Sequence, residues 1–276
     1  MPYLSVKNVS LSYPVFSAPP APLKESEDQA YNPDLRRHAG ALTVSRNAGG
    51  HAINALQDIN FELEAGDRLA LIGRNGSGKS TLLRVLAGVY SPTQGEVHHE
   101  GRIAPLFSVG LGVKREATGR RNIILRGLMS GLTWKESAEK IDEIVEFSEL
   151  GPFIDLPVRT YSAGMAMRLS FAMATAFSPE ILLLDEWIGA GDEAFQTKAA
   201  ARMNELVLNA GITVIASHRR KLIKEVCTKA LWLDGGRQCT IGPVVETYRA
   251  MDAAAAEANT AAEAARQPQP ESGSSG

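Results

Sequence analysis

The sequence is poor in the features that mark secreted, membrane-spanning or nucleic-acid-binding chains. Its 276 residues include two cysteines, Cys227 and Cys239, too few for a disulfide framework. The N-terminus has no cationic start followed by an apolar core, so no secretory signal is expected and a reducing compartment fits best. No uninterrupted apolar run approaches the roughly 20 residues that a membrane span needs. The run Ile181 to Leu184 is cut off at once by Asp185. Charge of neither sign dominates: Lys+Arg 29 against Asp+Glu 31 leaves -2, which gives no electrostatic reason to expect a nucleic-acid partner. Any membrane role must therefore come through a partner. The length suits one large domain or two small ones.

What is present centres on Gly73-Arg74-Asn75-Gly76-Ser77-Gly78-Lys79-Ser80-Thr81, which fits G-x-x-x-x-G-K-S/T without a mismatch. Arg68 to Ile72 before it reads as a buried strand. Leu82, Leu83, Val85 and Leu86 after it fall at helical spacing, which supplies the strand–loop–helix setting that the motif requires. Glycines let the backbone curl so that successive N–H groups point inward, and the helix start adds its positive end. Such a nest prefers polyphosphate. Lys79 would reach the β- and γ-phosphates, and the Ser80 hydroxyl would ligate Mg²⁺.

Around the loop, Leu4-Ser5-Val6-Lys7 and Ser10-Leu11-Ser12-Tyr13 alternate as half-buried strands do. Residues 16–52 turn Pro/Gly-rich and aperiodic, which reads as a long surface insertion. Ile59, Phe61 and Leu63 then line one face of a strand. Residues 96–106 read as a β-hairpin, with His98-His99 on a solvated strand edge because no carboxylate or cysteine cluster accompanies them. Thr133-Trp134-Lys135-Glu136 is a capping box. It opens an expected helix over 134–149 whose apolar face carries Trp134, Ala138, Ile141, Val145 and Ser148. Ser162 N-caps a second helix that buries Met165, Leu169, Ala172, Met173 and Ala176.

Ile181-Leu182-Leu183-Leu184-Asp185-Glu186 has the pattern of a buried parallel strand ending in two carboxylates. Beside a phosphate loop, the first acid can hold Mg²⁺ through water and the second can sit over an attacking water. Ile212 to Ser217 repeats the buried-strand pattern and delivers His218 to the same carboxyl edge, where nucleotide sites form in open α/β sheets. Ala230 to Arg237 reads as a strand and tight turn. After Tyr248 the chain becomes alanine-rich and then a disordered tail.

Tyr161-Ser162-Ala163-Gly164-Met165, shortly before Asp185-Glu186, resembles the signature loop of ATP-binding cassette (ABC) ATPases, usually Leu-Ser-Gly-Gly-Gln; Ser162 and Gly164 are kept. The resemblance spans residues 3–250 and implies a fold. That fold is an α/β phosphate-loop (RecA-like) ATPase core with an N-terminal antiparallel β subdomain and an inserted α-helical subdomain over 108–170. Residues 1–250 would form this nucleotide-binding domain and 251–276 the tail. By the same resemblance Asp185 anchors Mg²⁺, Glu186 is the general base, His218 senses the γ-phosphate, and Gly189-Ala190-Gly191-Asp192 crosses a dimer. Tyr13 matches the aromatic that stacks on adenine, with Phe16 as its rival. The glutamine usual near Leu106-Phe107-Ser108-Val109-Gly110 is missing, and Ser108 lies closest to its place.

Together with Tyr161 to Met165, the strings Leu106-Phe107-Ser108-Val109-Gly110-Leu111-Gly112, Thr118-Gly119-Arg120-Arg121-Asn122-Ile123 and Trp232-Leu233-Asp234-Gly235-Gly236 add a resemblance to ATPases that export O-antigen, teichoic acid and similar lipid-linked polysaccharides. This implies ATP and Mg²⁺ as cofactors, a homodimer with Ser162 and Gly164 facing the partner's nucleotide, and a separate transmembrane permease that handles the lipid-linked glycan. The expected place is the cytoplasmic face of the inner membrane. Some such proteins carry a C-terminal carbohydrate-binding domain, for which too little chain follows Tyr248. The rival classes are a soluble cassette ATPase acting mechanically on DNA or ribosomes, whose usual coiled coil or second cassette is missing, and a small-molecule kinase, in which the signature loop would have no task.

Overall fold

The computed structural model describes residues 1–15, 43–47, 50–106, 113–177, 179–186 and 193–264. Its strands are β1 (Tyr3–Val15), β2 (Thr43–Asn47), β3 (Gly50–Glu64), β4 (Arg68–Ile72), β5 (Gln94–Glu100), β6 (Ile103–Pro105), β7 (Ile181–Asp185), β8 (Ile212–Ala216), β9 (Lys229–Asp234) and β10 (Arg237–Pro243). The helices are α1 (Lys79–Leu86), α2 (Gly119–Met129), α3 (Trp134–Glu139), α4 (Ile141–Ser148), α5 (Ala163–Thr175), α6 (Glu193–Asn209), α7 (Arg220–Val226) and α8 (Val244–Ala264).

The strands run in the order β5-β1-β3-β10-β9-β4-β8-β7-β6, with β2 on β3. β9, β4, β8, β7 and β6 are mutually parallel, whereas β5, β1, β3 and β2 pair antiparallel. This is the expected α/β ATPase core with an antiparallel β subdomain at its N-terminal edge. Side-chain alternation on the parallel strands explains the layering. Leu69 and Leu71, Leu183, Val214 and Leu231 face α1 and the antiparallel strands, in one core with Leu4, Ile59, Leu82 and Leu83. Their neighbours Ala70, Ile72, Leu182, Leu184 and Ile215 face Phe195, Met203, Ile223 and Tyr248 of the outer helices. An eight-residue helix such as α1 is marginal alone; with four buried apolar side chains, each stabilising by roughly 1.5–3 kcal/mol, it is held by packing. A third core, with Ile123, Ile144, Ile154, Leu169 and Met173, belongs to the helices of the 113–177 segment.

Three expectations of local structure are corrected. Residues 96–106 are not a hairpin: β5 pairs with β1, β6 with β7, and the two lie at opposite ends of the strand order although only Gly101 and Arg102 separate them. The sheet must curl to allow this. The helix expected over 134–149 is two helices, meeting at Lys140. Ser137 packs directly on Gly127 of α2, leaving no room for a Cβ there, whereas α4 is covered chiefly by α5. Trp134 is exposed instead of lining the apolar face. The stretch expected as insertion over 16–52 contains β2 and the start of β3, which pair from Thr43↔Asn54 to Asn47↔Gly50; residues 16–42 and 48–49 lie outside the described residues. The alanine-rich stretch continues α8 to Ala264, so a boundary at 250 falls inside a helix, and the tail beyond 264 is likewise outside them. His98 and His99 are exposed on β5, the edge strand, as expected.

Candidate nucleotide site

At the carboxyl end of β4 the chain enters the loop at Gly73, whose φ of 145° is closed to residues with a side chain. A Cβ there would also collide with the Leu233 carbonyl and lie 2.7 Å from Ser77 Oγ. Gly78, with φ 104°, caps α1 and sits so close to β3 that a Cβ would lie 2.9 Å from the Ala55 carbonyl oxygen. The loop is braced from behind by the Gly235-Gly236 turn, whose Gly236 amide donates to the Ser77 carbonyl at 3.1 Å. Asn75 and Gly76 are exposed at the rim, and Ser77 is buried beneath them.

Lys79 is only 8% exposed, and its Nζ donates to the Gly73 and Arg74 carbonyls, each at 2.9 Å. Burial pushes its ammonium below the ordinary lysine range, opposed by the charges of Glu186 and Asp185. A desolvated cation held by the loop's own carbonyls is ready for phosphate oxygens to replace them. Ser80 and Thr81 follow on the first turn of α1, facing the same cavity.

Strands β7 and β8 pair Asp185↔Ala216, which brings the two acids and His218 to one edge. Glu186 adopts φ 64°, a left-handed backbone that costs a non-glycine residue about 1–3 kcal/mol. Its amide donates to the Ala216 carbonyl at 2.8 Å, fixing that turn, and its Oε1 lies 3.6 Å from His218 Nε2.

A cavity of about 600 Å³ joins these groups; Tyr13, Ile53, Ala55, Asn75, Gly76, Gly78, Lys79, Ser80, Thr81, Asp185, Glu186 and His218 line it. Tyr13 is half-buried and meets Tyr90 edge to face at 5.9 Å between ring centroids, and burial pushes its phenol above the ordinary range. No motif in the sequence marks Ile53 and Ala55, and Ile53 follows directly on the aperiodic stretch. What places it in the wall is the β1–β3 register, Tyr13↔Ile53. The bracing role of Gly235-Gly236 had only the glycine pair as its signal.

Ser162 and Gly164 are not among the cavity-lining residues; both are exposed at the start of α5, where Ser162 Oγ accepts from the Met165 amide at 3.2 Å. Phe16, Ser108 and Gly189-Ala190-Gly191-Asp192 lie outside the described residues.

A phosphate loop on β4, paired acids on β7 and a histidine after β8 define a nucleotide-binding α/β ATPase core. The comparisons narrow the class. The ABC transporter family matches residues 56–189. The chain is 44% identical to the O-antigen export system ATP-binding protein RfbE of Yersinia enterocolitica, over 86% of this chain and 96% of that one. It is 40% identical to the teichoic acids export ATP-binding protein TagH of Bacillus anthracis, over 73% of this chain and 36% of that one. Among solved structures, a dimeric ATP-binding cassette in a post-hydrolysis state with ADP and phosphate superposes with a TM-score of 0.60 at 19% identity, over 87% of this chain and 98% of that one. The chain belongs to the ABC transporter family of ATP-binding proteins.

Proposed function

We infer that this chain is the ATP-hydrolysing subunit of an ABC transporter that exports a lipid-linked polysaccharide through a separate transmembrane permease. The observation that carries the reading is the meeting of Lys79, Ser80, Asp185, Glu186 and His218 on one cavity. The likeness to O-antigen and teichoic acid export proteins supports the substrate class. Among the described residues no helix is long and apolar enough to cross a membrane. In this reading the permease holds the chain at the cytoplasmic face.

In the mechanism, the loop amides and Lys79 bind the β- and γ-phosphates, Gly73, Asn75, Gly76, Ser77, Gly78 and Thr81 shape that cradle, and Tyr13 closes the cavity on the base side. The hydroxyl of Ser80 and the carboxylate of Asp185 form a hard-oxygen donor set that suits Mg²⁺, which they would hold; when bound, the ion neutralises phosphate charge. Glu186 accepts a proton from the attacking water, and His218 orients the γ-phosphate beside it. Ser162 and Gly164 present exposed helix N–H groups away from their own cavity, which fits contact with the nucleotide of a second copy. Two copies would then close around two ATP molecules, with the helical subdomain over 108–170 facing the permease.

The test is genetic and direct. Removing this gene from its host should abolish surface polysaccharide and leave lipid-linked glycan inside; the parent chain should restore export and Lys79→Ala should not. Unchanged surface polysaccharide after deletion would overturn the export reading.

A further inference from the structure

His218 owes its position to a short connection, and that connection is held from outside the cavity. Between β8 and α7 lie only Ser217, His218 and Arg219. The Arg219 amide donates to Ser217 Oγ at 3.2 Å, and the Arg220 amide to the His218 carbonyl at 3.1 Å, so the imidazole is carried on the turn that begins α7. α7 has seven residues and no side-chain cap at its N-terminus, too little to fix its own start. Its first residue is a cation, which the helix dipole disfavours at that end.

Something must offset that cost, and α8 does. The guanidinium of Arg220 forms a two-pronged pair with Asp252, Nη1 to Oδ2 at 3.0 Å and Nη2 to Oδ1, and lies 4.6 Å from the Tyr248 ring centroid. A planar fork against a carboxylate, stacked on an aromatic face, fixes orientation as well as distance. α8 is itself anchored: Tyr248 is 5% exposed in the core with Ile223, and Thr247 Oγ1 donates to the Pro243 carbonyl at 3.0 Å.

We propose that Arg220 is a positioning residue for ATP hydrolysis, acting through His218, and that Asp252 on the C-terminal helix α8 holds it in place. The Arg220–Asp252 pair sets the start of α7 and thereby the approach of the His218 ring to Glu186, now 3.6 Å between Nε2 and Oε1. The proposal rests on the reading of His218 as a group that contacts the nucleotide.

The experiment measures ATP turnover of the full chain for His218→Ala, Arg220→Gln, Arg220→Lys, Asp252→Asn and the double variant His218→Ala/Asp252→Asn. Misplacing a catalytic group by about 1 Å can cost on the order of 100-fold, so a partly released His218 should lower kcat by roughly tenfold in Arg220→Gln and Asp252→Asn, with KM for ATP little changed. Arg220→Lys, which keeps the charge and loses the fork, should fall between these and the parent. The double variant should be no slower than His218→Ala alone, because the pair acts through a ring that is gone. A merely structural loss would instead multiply with the His218 loss, and that result overturns the proposal. So does parental turnover in Arg220→Gln and Asp252→Asn while His218→Ala is slow. If His218→Ala itself turns over like the parent, the underlying reading of His218 falls, and the proposal with it. Should Arg220→Gln fail to fold, Asp252→Asn, which changes an exposed side chain, decides by the same criteria.

Discussion

Lys79→Ala removes a cation that is desolvated and bonded to two loop carbonyls before any phosphate arrives. The loop is thus shaped in advance, and in the proposed function phosphate oxygens would exchange for carbonyl oxygens at a charge that has already left water. Hydrogen bonds to charged groups contribute about 1.5–3 kcal/mol, so loss of this one should weaken ATP binding by roughly 10- to 150-fold. The sign of the pH dependence follows from burial. In the free protein burial holds Lys79 below its ordinary 10.5, and neighbouring phosphates favour the charged form. ATP binding therefore takes up a proton between the free and bound values, and affinity falls as pH rises through the free value. For folding the same shift has the opposite look: the unfolded chain holds this proton more tightly, so stability rises with pH across the window from the folded to the unfolded value. Titration with a fluorescent ATP analogue measures the first effect. Calorimetry in two buffers of different ionisation heat, at a series of pH values up to the ordinary lysine value, measures the proton. Affinity within about twofold of the parent in Lys79→Ala, or a heat independent of buffer, would refute the assignment of this lysine.

Glu186→Gln should keep ATP binding and lose about 10²- to 10⁴-fold in hydrolysis; unchanged turnover would remove Glu186 from the base role. Lys79→Ala and Ser162→Arg should each abolish an ATP-held dimer, in a Glu186→Gln background that traps it, while their mixture restores some dimer on gel filtration because one of its two sites is intact. Ser162→Arg dimerising like the parent would leave Ser162 as an N-cap only. Phe195→Ala empties the centre of the Phe147, Phe171 and Phe195 cluster, 5.7–6.0 Å between ring centroids, and should cost about 3–5 kcal/mol, read as a fall in melting temperature on the order of 10 °C. A smaller fall than about 2 °C would mean that the cluster closes over the gap.

The phosphate loop, the two acids and His218 were legible because each is specified locally. Only glycine fits at Gly73, only a buried strand reads as Ile181 to Leu184, and the parallel ladder then has to deliver Asp185 and His218 to one edge. The expected hairpin over 96–106 failed because alternation reports that a segment is a strand and is silent on its partner. Gly101 and Arg102 can join neighbours or, in a curled sheet, opposite ends, and which of these occurs depends on β1 and β7, far away in sequence. The single helix over 134–149 failed for a related reason. Its capping box is formed as the sequence predicts, Thr133 accepting from the Glu136 amide and Glu136 accepting from the Thr133 amide. Periodicity continues through Lys140, yet Ser137 is drawn to α2 and Ile144 to the core it shares with α5. A repeat of 3.6 residues records which faces are apolar and leaves open whether one neighbour or two will cover them. The same limit applies to Ile53 and Ala55. Nothing in their own identity marks a cavity wall; they become one because β3 carries them opposite Tyr13 and against Gly78. Chemistry that needs a particular residue type is written along the chain, whereas the walls that enclose it are written in pairings between distant segments.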